Sequence, residues 1–326
     1  MKRTMKIYGA FLCFCLFWGM GCPSALPVTE GSFERTLNVT GQVDLDVSTG
    51  SGNIAVRTAG STTVRIRALI RARDDFRLKA DEKIRYLQAN PPIEQTGNTI
   101  RIGRIDNRDY TQNVSINYEL DVPPDTHLKA KSGSGNVSAA GLGGSVELGS
   151  GSGNVTASSI GGEVRAQTGS GNIEIDSIRG GAQINTGSGN IRALGIAGAL
   201  RARTGSGNIK AELSAAGDVD VDAGSGDVEA TGVRGALRAH TGSGRLDIDG
   251  EPTGGWNLHA GSGNVNVRLK SNPAFDLYAH TSSGRVTVDQ PVTITGTASP
   301  KELRGKVRGG GPLMEVKTGS GDVRIQ

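Results

Sequence analysis

The chain has 326 residues, with 36 Lys and Arg against 32 Asp and Glu, a formal net charge of +4 and only 4% aromatic residues. Basic and acidic side chains are interspersed, and there are few rings on which bases could stack, so the composition argues against a nucleic-acid-binding surface. All three cysteines, Cys13, Cys15 and Cys22, fall near the N-terminus, which leaves residues 23–326 without a disulfide, a thiolate metal site or a cysteine nucleophile.

The N-terminus carries Lys2, Arg3 and Lys6, then an apolar run from Ala10 to Trp18 and Gly19-Met20-Gly21-Cys22, the layout of a secretory signal. A small residue before a cysteine resembles the lipobox of bacterial lipoproteins, so residues 1–22 are expected to be a signal peptide of lipoprotein type. Cys22 would be the lipidation site, with cleavage near Ala25 as the alternative. Removing the leader takes away three positive charges and lowers the net charge from +4 to +1. No later stretch is long and apolar enough to span a bilayer, so membrane attachment is expected through the lipid alone.

After a linker at 23–31, residues 32–127 read as an irregular β segment. Strand-like alternation occurs at Val43–Val47, Val64–Arg67, Thr99–Ile102 and Val114–Tyr118. Asp81 to Gln88 reads as one short helix stopped by Pro91-Pro92, and it is placed to cover an open end of sheet that would otherwise recruit other chains. Gly50-Ser51-Gly52-Asn53 is an early copy of a phrase that dominates the rest of the chain.

From residue 128 to 326 that phrase, Gly-Ser-Gly-Asn or a close variant, begins at Gly133, Gly151, Gly169, Gly187, Gly205, Gly224, Gly242, Gly261, Ser282 and Gly319, in steps of 18, 18, 18, 18, 19, 18, 19, 21 and 37 residues. The last step is twice the period, which predicts one degenerate copy near Ser299 to Arg304. A repeat this short buries a core only if copies stack. Apolar residues recur five and three positions before the phrase (Leu128 and Ala130, Val146 and Leu148, onward to Met314 and Val316). They recur again four and six positions after its first residue (Val137 and Ala139, onward to Val323 and Ile325). The period of two makes each copy two short strands joined by the phrase, with these columns inward. A fifth column, Leu142, Ile160, Ile178, Ile196 and Val233, is expected to fill the second corner. The predicted fold is all-β: a parallel β-solenoid of about 18 residues per coil, with about eleven coils at ~4.8 Å per step forming a rod on the order of 50 Å.

Glycine in the phrase is expected to supply positive φ. Asn136, Asn154, Asn172, Asn190, Asn208 and Asn264 would then stack as a structural ladder at the turn. A phosphate-cradling loop would need a helix after the glycines, whereas here the following residues are β-branched and alternate. A calcium β-roll would need an Asp after Gly-x-Gly-x in both turns, which this chain lacks.

The Ser51-Gly52-Asn53-Ile54 phrase, Asp121-Val122-Pro123-Pro124, the array from Gly133 and the closing Val316-Lys317-Thr318-Gly319-Ser320-Gly321-Asp322-Val323 together resemble the bacterial family labelled "putative adhesin", a β-strand-repeat domain of unknown function. The resemblance covers nearly all of the chain beyond the leader. It implies a β-solenoid in the cell envelope and brings no catalytic residues with it.

Two patterns carry possible chemistry. Two residues before the phrase, Asp222, His240, His259 and His280 follow one another in consecutive copies. With imidazoles about 5 Å apart on an outward face, His240, His259 and His280 are candidate metal ligands. The outward carboxylates Glu174, Asp220, Asp222, Glu229 and Asp247 are dispersed among Arg192, Lys210, Arg201 and Arg238, as expected if stacked strands simply avoid like-charge contact. No catalytic residue and no cofactor is therefore assigned. The expectation is a non-enzymatic, exported envelope scaffold, adhesin-like, presenting polar faces to an envelope protein or glycan. The alternatives are a structural or regulatory envelope module acting through its N-terminal coils, and a glycan-active β-helix enzyme.

Overall fold

The computed structural model describes residues 28–295 and 298–326. The leader and Cys22 lie outside the described residues. The chain is a parallel β-solenoid whose strands form two long sheets, one of 15 strands and one of 14. The leading sheet holds the strands that precede each phrase, such as Val164–Thr168, and the trailing sheet those that follow it, such as Ile173–Ile178. Like residues align from copy to copy: Val164 faces Ala182, which faces Leu200. All four apolar columns turn inward, and Leu142, Ile160, Ile178, Ile196 and Val233 fill the second corner. Only Val286 and Val288 are less than fully buried within those columns, because their coil closes the end of the stack. Burying one such side chain contributes roughly 1.5–3 kcal/mol, and in this architecture that surface exists only between neighbouring coils.

The glycines of the phrase serve close approach, and the expected positive φ appears at Gly52, Gly263, Gly284 and Gly321 (φ 141°, 146°, 157° and 146°). A Cβ at Gly153, Gly171 or Gly189 would stand 2.1, 2.0 or 1.9 Å from the carbonyl oxygen of the matching glycine one coil earlier, and none of the three is left-handed. Left-handed backbone near φ 60° sits at the second corner, at Gly141, Ser159, Ser177 and Gly195 (φ 76°, 55°, 59° and 63°).

The asparagines bond to backbone rather than to each other. The Oδ1 of Asn136 accepts the N–H of Asn154 at 2.9 Å, and the same bond links Asn154 to Asn172, Asn172 to Asn190, Asn190 to Asn208 and Asn208 to Asp227. Asp serves as well as Asn because only the oxygen is needed: Asp227 accepts from the Arg245 N–H at 2.8 Å. Arg245 interrupts the series, and Asn264 resumes it by accepting from Asp322 at 2.9 Å. A second ladder lies just inside. Buried Thr168, Thr186 and Thr204 each donate to a glycine carbonyl of the coil before, at 2.8, 2.9 and 2.8 Å. These hydroxyls satisfy carbonyls that the tight corner leaves without a strand partner.

The coils do not stack in sequence order at either end, which corrects the expectation of simple succession. At the C-terminal end, Leu313–Ser320 pairs with Trp256–Ser262 on one side and Phe275–Ser283 on the other, and Val323–Ile325 likewise lies between Val265–Leu269 and Val286–Val288. The last coil in sequence is thus the penultimate coil in space. Residues Ser299 to Arg304 do not form a degenerate copy. Glu302–Val307 runs antiparallel along Phe275–Ser283 and, with Val292–Ile294, covers the end of the leading sheet. An antiparallel strand ends a parallel stack without offering the next coil a matching template.

The N-terminal end mirrors this arrangement. The coil built from Val43–Thr49 and Ile54–Thr58 sits between the coil of Thr99–Ile102 and Val114–Val122 and the first regular coil. Val64–Arg67 belongs to no coil. The strand Thr63–Ala72 runs antiparallel between Val114–Val122 and a strand Thr29–Asn38 that begins inside the segment 23–31 expected as a linker. Helix α1 (Ala80–Ala89) packs Ala80, Ile84 and Leu87 against these two strands. Its side chain Lys83 is fully buried and bonds Asp75 at 2.5 Å and the carbonyls of Arg73 and Gln112. The Lys83 ammonium, with two backbone N–H donors behind it, lowers the Asp75 carboxyl to about 2.

The inserted coil gives a direct test. Asn257 and Glu315 are register partners, as are Tyr278 and Glu315. Asn257→Cys with Glu315→Cys is expected to form an intramolecular disulfide on oxidation, since adjacent strands lie ~4.8 Å apart. Asn257→Cys with Tyr278→Cys, two strands apart, is expected to stay reduced. A non-reducing gel and mass spectrometry read the difference, and cross-linking of the second pair would restore the sequential order.

Candidate functional site

The outer face of the leading sheet carries the most varied chemistry. Along one side of it runs an open groove of about 770 Å³. Small residues, Gly181, Ala199, Ala236 and Gly255, leave the space, with Asp218 on the coil between Ala199 and Ala236, and Gln183, Arg201, Asp220 and Arg238 line it. Strand alternation projects the second set outward, while the Ala182, Leu200, Val219 and Leu237 side chains between them fill the core. Asp220 accepts from Arg201 at 3.0 Å and lies 3.5 Å from the Arg203 guanidinium. Of the other carboxylates singled out by sequence, Glu174 meets Arg192 at 3.5 Å, Glu229 meets Lys210 at 2.7 Å and Asp247 meets Arg245 at 3.2 Å. Such exposed pairs are worth about 0–1 kcal/mol each. Their effect is to leave each face nearly neutral.

Next to the groove, His240 and His259 are register partners with parallel rings whose centroids are 5.2 Å apart. Asp222 is the partner of His240 on the other side. His280 does not follow His259. Lys317 of the inserted coil lies between them, paired in register with each. The expectation of three successive imidazoles therefore fails at its third member, because the coil order is not the sequence order. The ammonium at that position also disfavours a cation beside His259. Among the described residues no three His, Cys, Asp or Glu side chains converge on a common metal position. The pKa of His259 is lowered by burial first and then by the neighbouring His240 and Lys317.

Two features went unnoticed in the sequence. Tyr278 lies between two cations, with the Arg304 guanidinium 5.7 Å and the Lys317 ammonium 5.4 Å from its ring centre. Neither neighbour is close in sequence, so no local signal could have found them. His127 bonds the Ser145 hydroxyl through Nδ1 at 2.7 Å and accepts the Ser145 N–H at 3.0 Å, while Nε2 faces the Gln42 amide at 2.6 Å. Asp218 plays the same part further along, accepting the Ala236 N–H at 3.0 Å. His127 thus caps backbone at the second corner, and the repeat offset it shares with Asp218 was the available signal.

These features define a two-faced parallel β-solenoid with charge-paired outer faces and an axial groove. The chain belongs to the Toastrack DUF4097 family, whose profile matches residues 53–326. Among solved structures it is similar to a putative cell adhesion protein from Clostridium sporogenes, at 11% identity over 91% of this chain and 99% of that one, TM-score 0.22. It is also similar to a putative lipid binding protein from Parabacteroides distasonis, at 10% identity over 90% and 96%, TM-score 0.33. A third is a putative adhesin from Bacteroides fragilis, at 13% identity over 91% and 97%, TM-score 0.27. Likeness at this level carries no functional inference. No curated protein matches the chain. Among the described residues no helix is long and apolar enough to cross a membrane.

Proposed function

We propose that the protein is a non-enzymatic, exported envelope scaffold of adhesin type, anchored through a lipid on Cys22, whose solenoid array presents the outer face of its leading sheet to a glycan or protein partner. The observation that carries this reading is the axial groove, which crosses several stacked coils of the same backbone and is lined by polar side chains, among them the Arg201–Asp220 pair, that do not converge on one reacting atom. A polar groove that runs across successive coils suits an extended partner and offers affinity by many weak contacts. Deleting two 18-residue coils in register, residues 169–204, shortens that surface without changing either cap. The variant is expected to remain folded and to bind envelope extracts more weakly than the full chain. Unaltered binding would remove the array from the function. Mass analysis of the mature N-terminus tests the anchor: an acylated Cys22 supports it, and cleavage near Ala25 overturns it.

A second reading places the contact at the N-terminal cap, where Phe76 is 85% exposed beside Arg77. An exposed aromatic ring can anchor a partner when it inserts into a pocket on that partner. Phe76→Ser would abolish binding under that reading and leave it intact under the first.

A further inference from the structure

We infer that the strip His240, His259, Lys317 and His280, on the outer face of the leading sheet, is an acid-gated binding site for a linear polysaccharide bearing a carboxylate on each sugar. This inference deepens the glycan reading above and rests on it.

The order of residues in the strip is set by the last coil, which inserts out of sequence. Six residues occupy equivalent outward positions on six adjacent strands, in the spatial order Asp222, His240, His259, Lys317, His280 and Glu302. Each step is one strand spacing, ~4.8 Å, and the first two rings stack at 5.2 Å and 3°. Sequential stacking would have put the three histidines together and left Lys317 at the edge. Insertion instead places the Lys317 ammonium between His259 and His280, so a permanent positive charge lies inside the row of four nitrogen groups along the solenoid axis. A polymer with one carboxylate per sugar repeats its charge on a comparable scale, so several sugars can be met in turn.

The strip's charged neighbours come mainly from adjacent strands of this sheet, with Arg203 beside Asp222 and, at the far end, Lys301 bonding the Ser282 carbonyl at 3.0 Å. Beside His240 stand Asp222, Arg238 and Asp220, the last of which is held by Arg201. Beside His259 stand His240, Lys317, Asn257 and Glu315, and Glu315 is paired with Lys317. Beside His280 stand Lys317, Glu302, Tyr278 and Arg304. With the imidazoles neutral, Arg203, Arg238, Lys317 and Arg304 face Asp222, Glu315 and Glu302, and the patch holds only a small positive excess. Protonating His240, His259 and His280 adds three positive charges to that face. His259 is held low by burial and by its two basic neighbours, so a carboxylate bridging it to His240 or Lys317 would relieve the repulsion that opposes its protonation. Tyr278 offers a ring face for a sugar, and Arg238 and Arg304 offer forked donors matched to carboxylates.

The test uses the full chain and polygalacturonate as probe, at constant ionic strength, at about pH 5 and about pH 7.5, either side of the ordinary imidazole value of ~6.5. Binding by co-sedimentation or interferometry is expected to be about tenfold or more tighter in acid, with no such gain for dextran, an uncharged polymer. A His240→Gln, His259→Gln, His280→Gln triple variant, checked by circular dichroism, is expected to bind as the wild type does near neutrality and to lose the acid gain. Equal binding at both pH values, or an acid gain that survives in the triple variant, overturns the inference. If the 169–204 deletion weakens binding to envelope extracts while either of those results holds, the scaffold reading stands and only this strip falls. If neither surface binds, both fall.

Discussion

Gly171→Ala is expected to destabilise the array by about 3 kcal/mol or more, the effect of a single added methyl group. The new Cβ would lie 2.0 Å from the Gly153 carbonyl oxygen and 2.5 Å from its carbon, both backbone atoms of the neighbouring coil. Those atoms cannot swing aside as a side chain would. Relief requires the two coils to separate, which lengthens the ladder bond from the Asn172 N–H to Asn154 and the bond from Thr168 to the Gly153 carbonyl. Because each coil is stabilised only by its neighbours, damage at one interface splits the stack. Urea unfolding followed by circular dichroism should therefore show a lower midpoint and a broadened transition. Gly149→Ala is the control. There the nearest atom is a Lys131 side-chain carbon at 3.4 Å, an ordinary contact with a flexible neighbour, and the change is expected to stay within about 0.5 kcal/mol. Equal damage from both substitutions would mean that glycine serves turn flexibility rather than coil approach.

Trp256→Ala carries the second large effect, expected at about 3–5 kcal/mol. Trp256 is 1% exposed, the largest side chain in its inward column, and it faces Leu237 on one side and Met314 of the inserted coil on the other. Its indole N–H donates to the Gly235 carbonyl at 3.1 Å. Alanine would leave a void where the inserted coil meets the regular array, together with an unpaired buried carbonyl. The C-terminal coils should then unfold first, leaving the N-terminal array protected in hydrogen exchange. Trp256→Phe keeps most of the volume and loses the hydrogen bond, so it is expected to cost less than half as much. Uniform loss of protection along the chain would show that the solenoid unfolds as one unit and that this junction is not its weak point.

Much of the architecture was legible because it is written at short range. The alternation in Ile173-Glu174-Ile175-Asp176 fixes which side chains face inward, and the interval between Gly151, Gly169 and Gly187 fixes the coil, since a regular stack must return each corner over the last. The dispersal of the carboxylates was legible for the same reason: the residue opposite Glu174 is the residue one period later, Arg192. The purpose of the phrase was less so. Glycine is compatible with both positive φ and close approach, and only the distance from Gly171 to the Gly153 carbonyl separates the two. The antiparallel strands Thr29–Asn38 and Glu302–Val307 were missed because their partners, Thr63–Ala72 and Phe275–Ser283, are recognisable only from pairing across the chain.

By itself the sequence determined the coil: its length, its two strands, its inward columns and the polar residues that face out. The tertiary structure alone decided which coil lies next to which at the two ends, and so placed Lys317 between His259 and His280. The reason is that the repeat makes coils nearly interchangeable. Trp256–Ser262 presents the same offsets to Phe275–Ser283 as to Leu313–Ser320, and local pairing energy cannot choose between them. The choice falls to the long connection 289–312, whose antiparallel strands take the outer edge and leave an inner position for the last coil to fill.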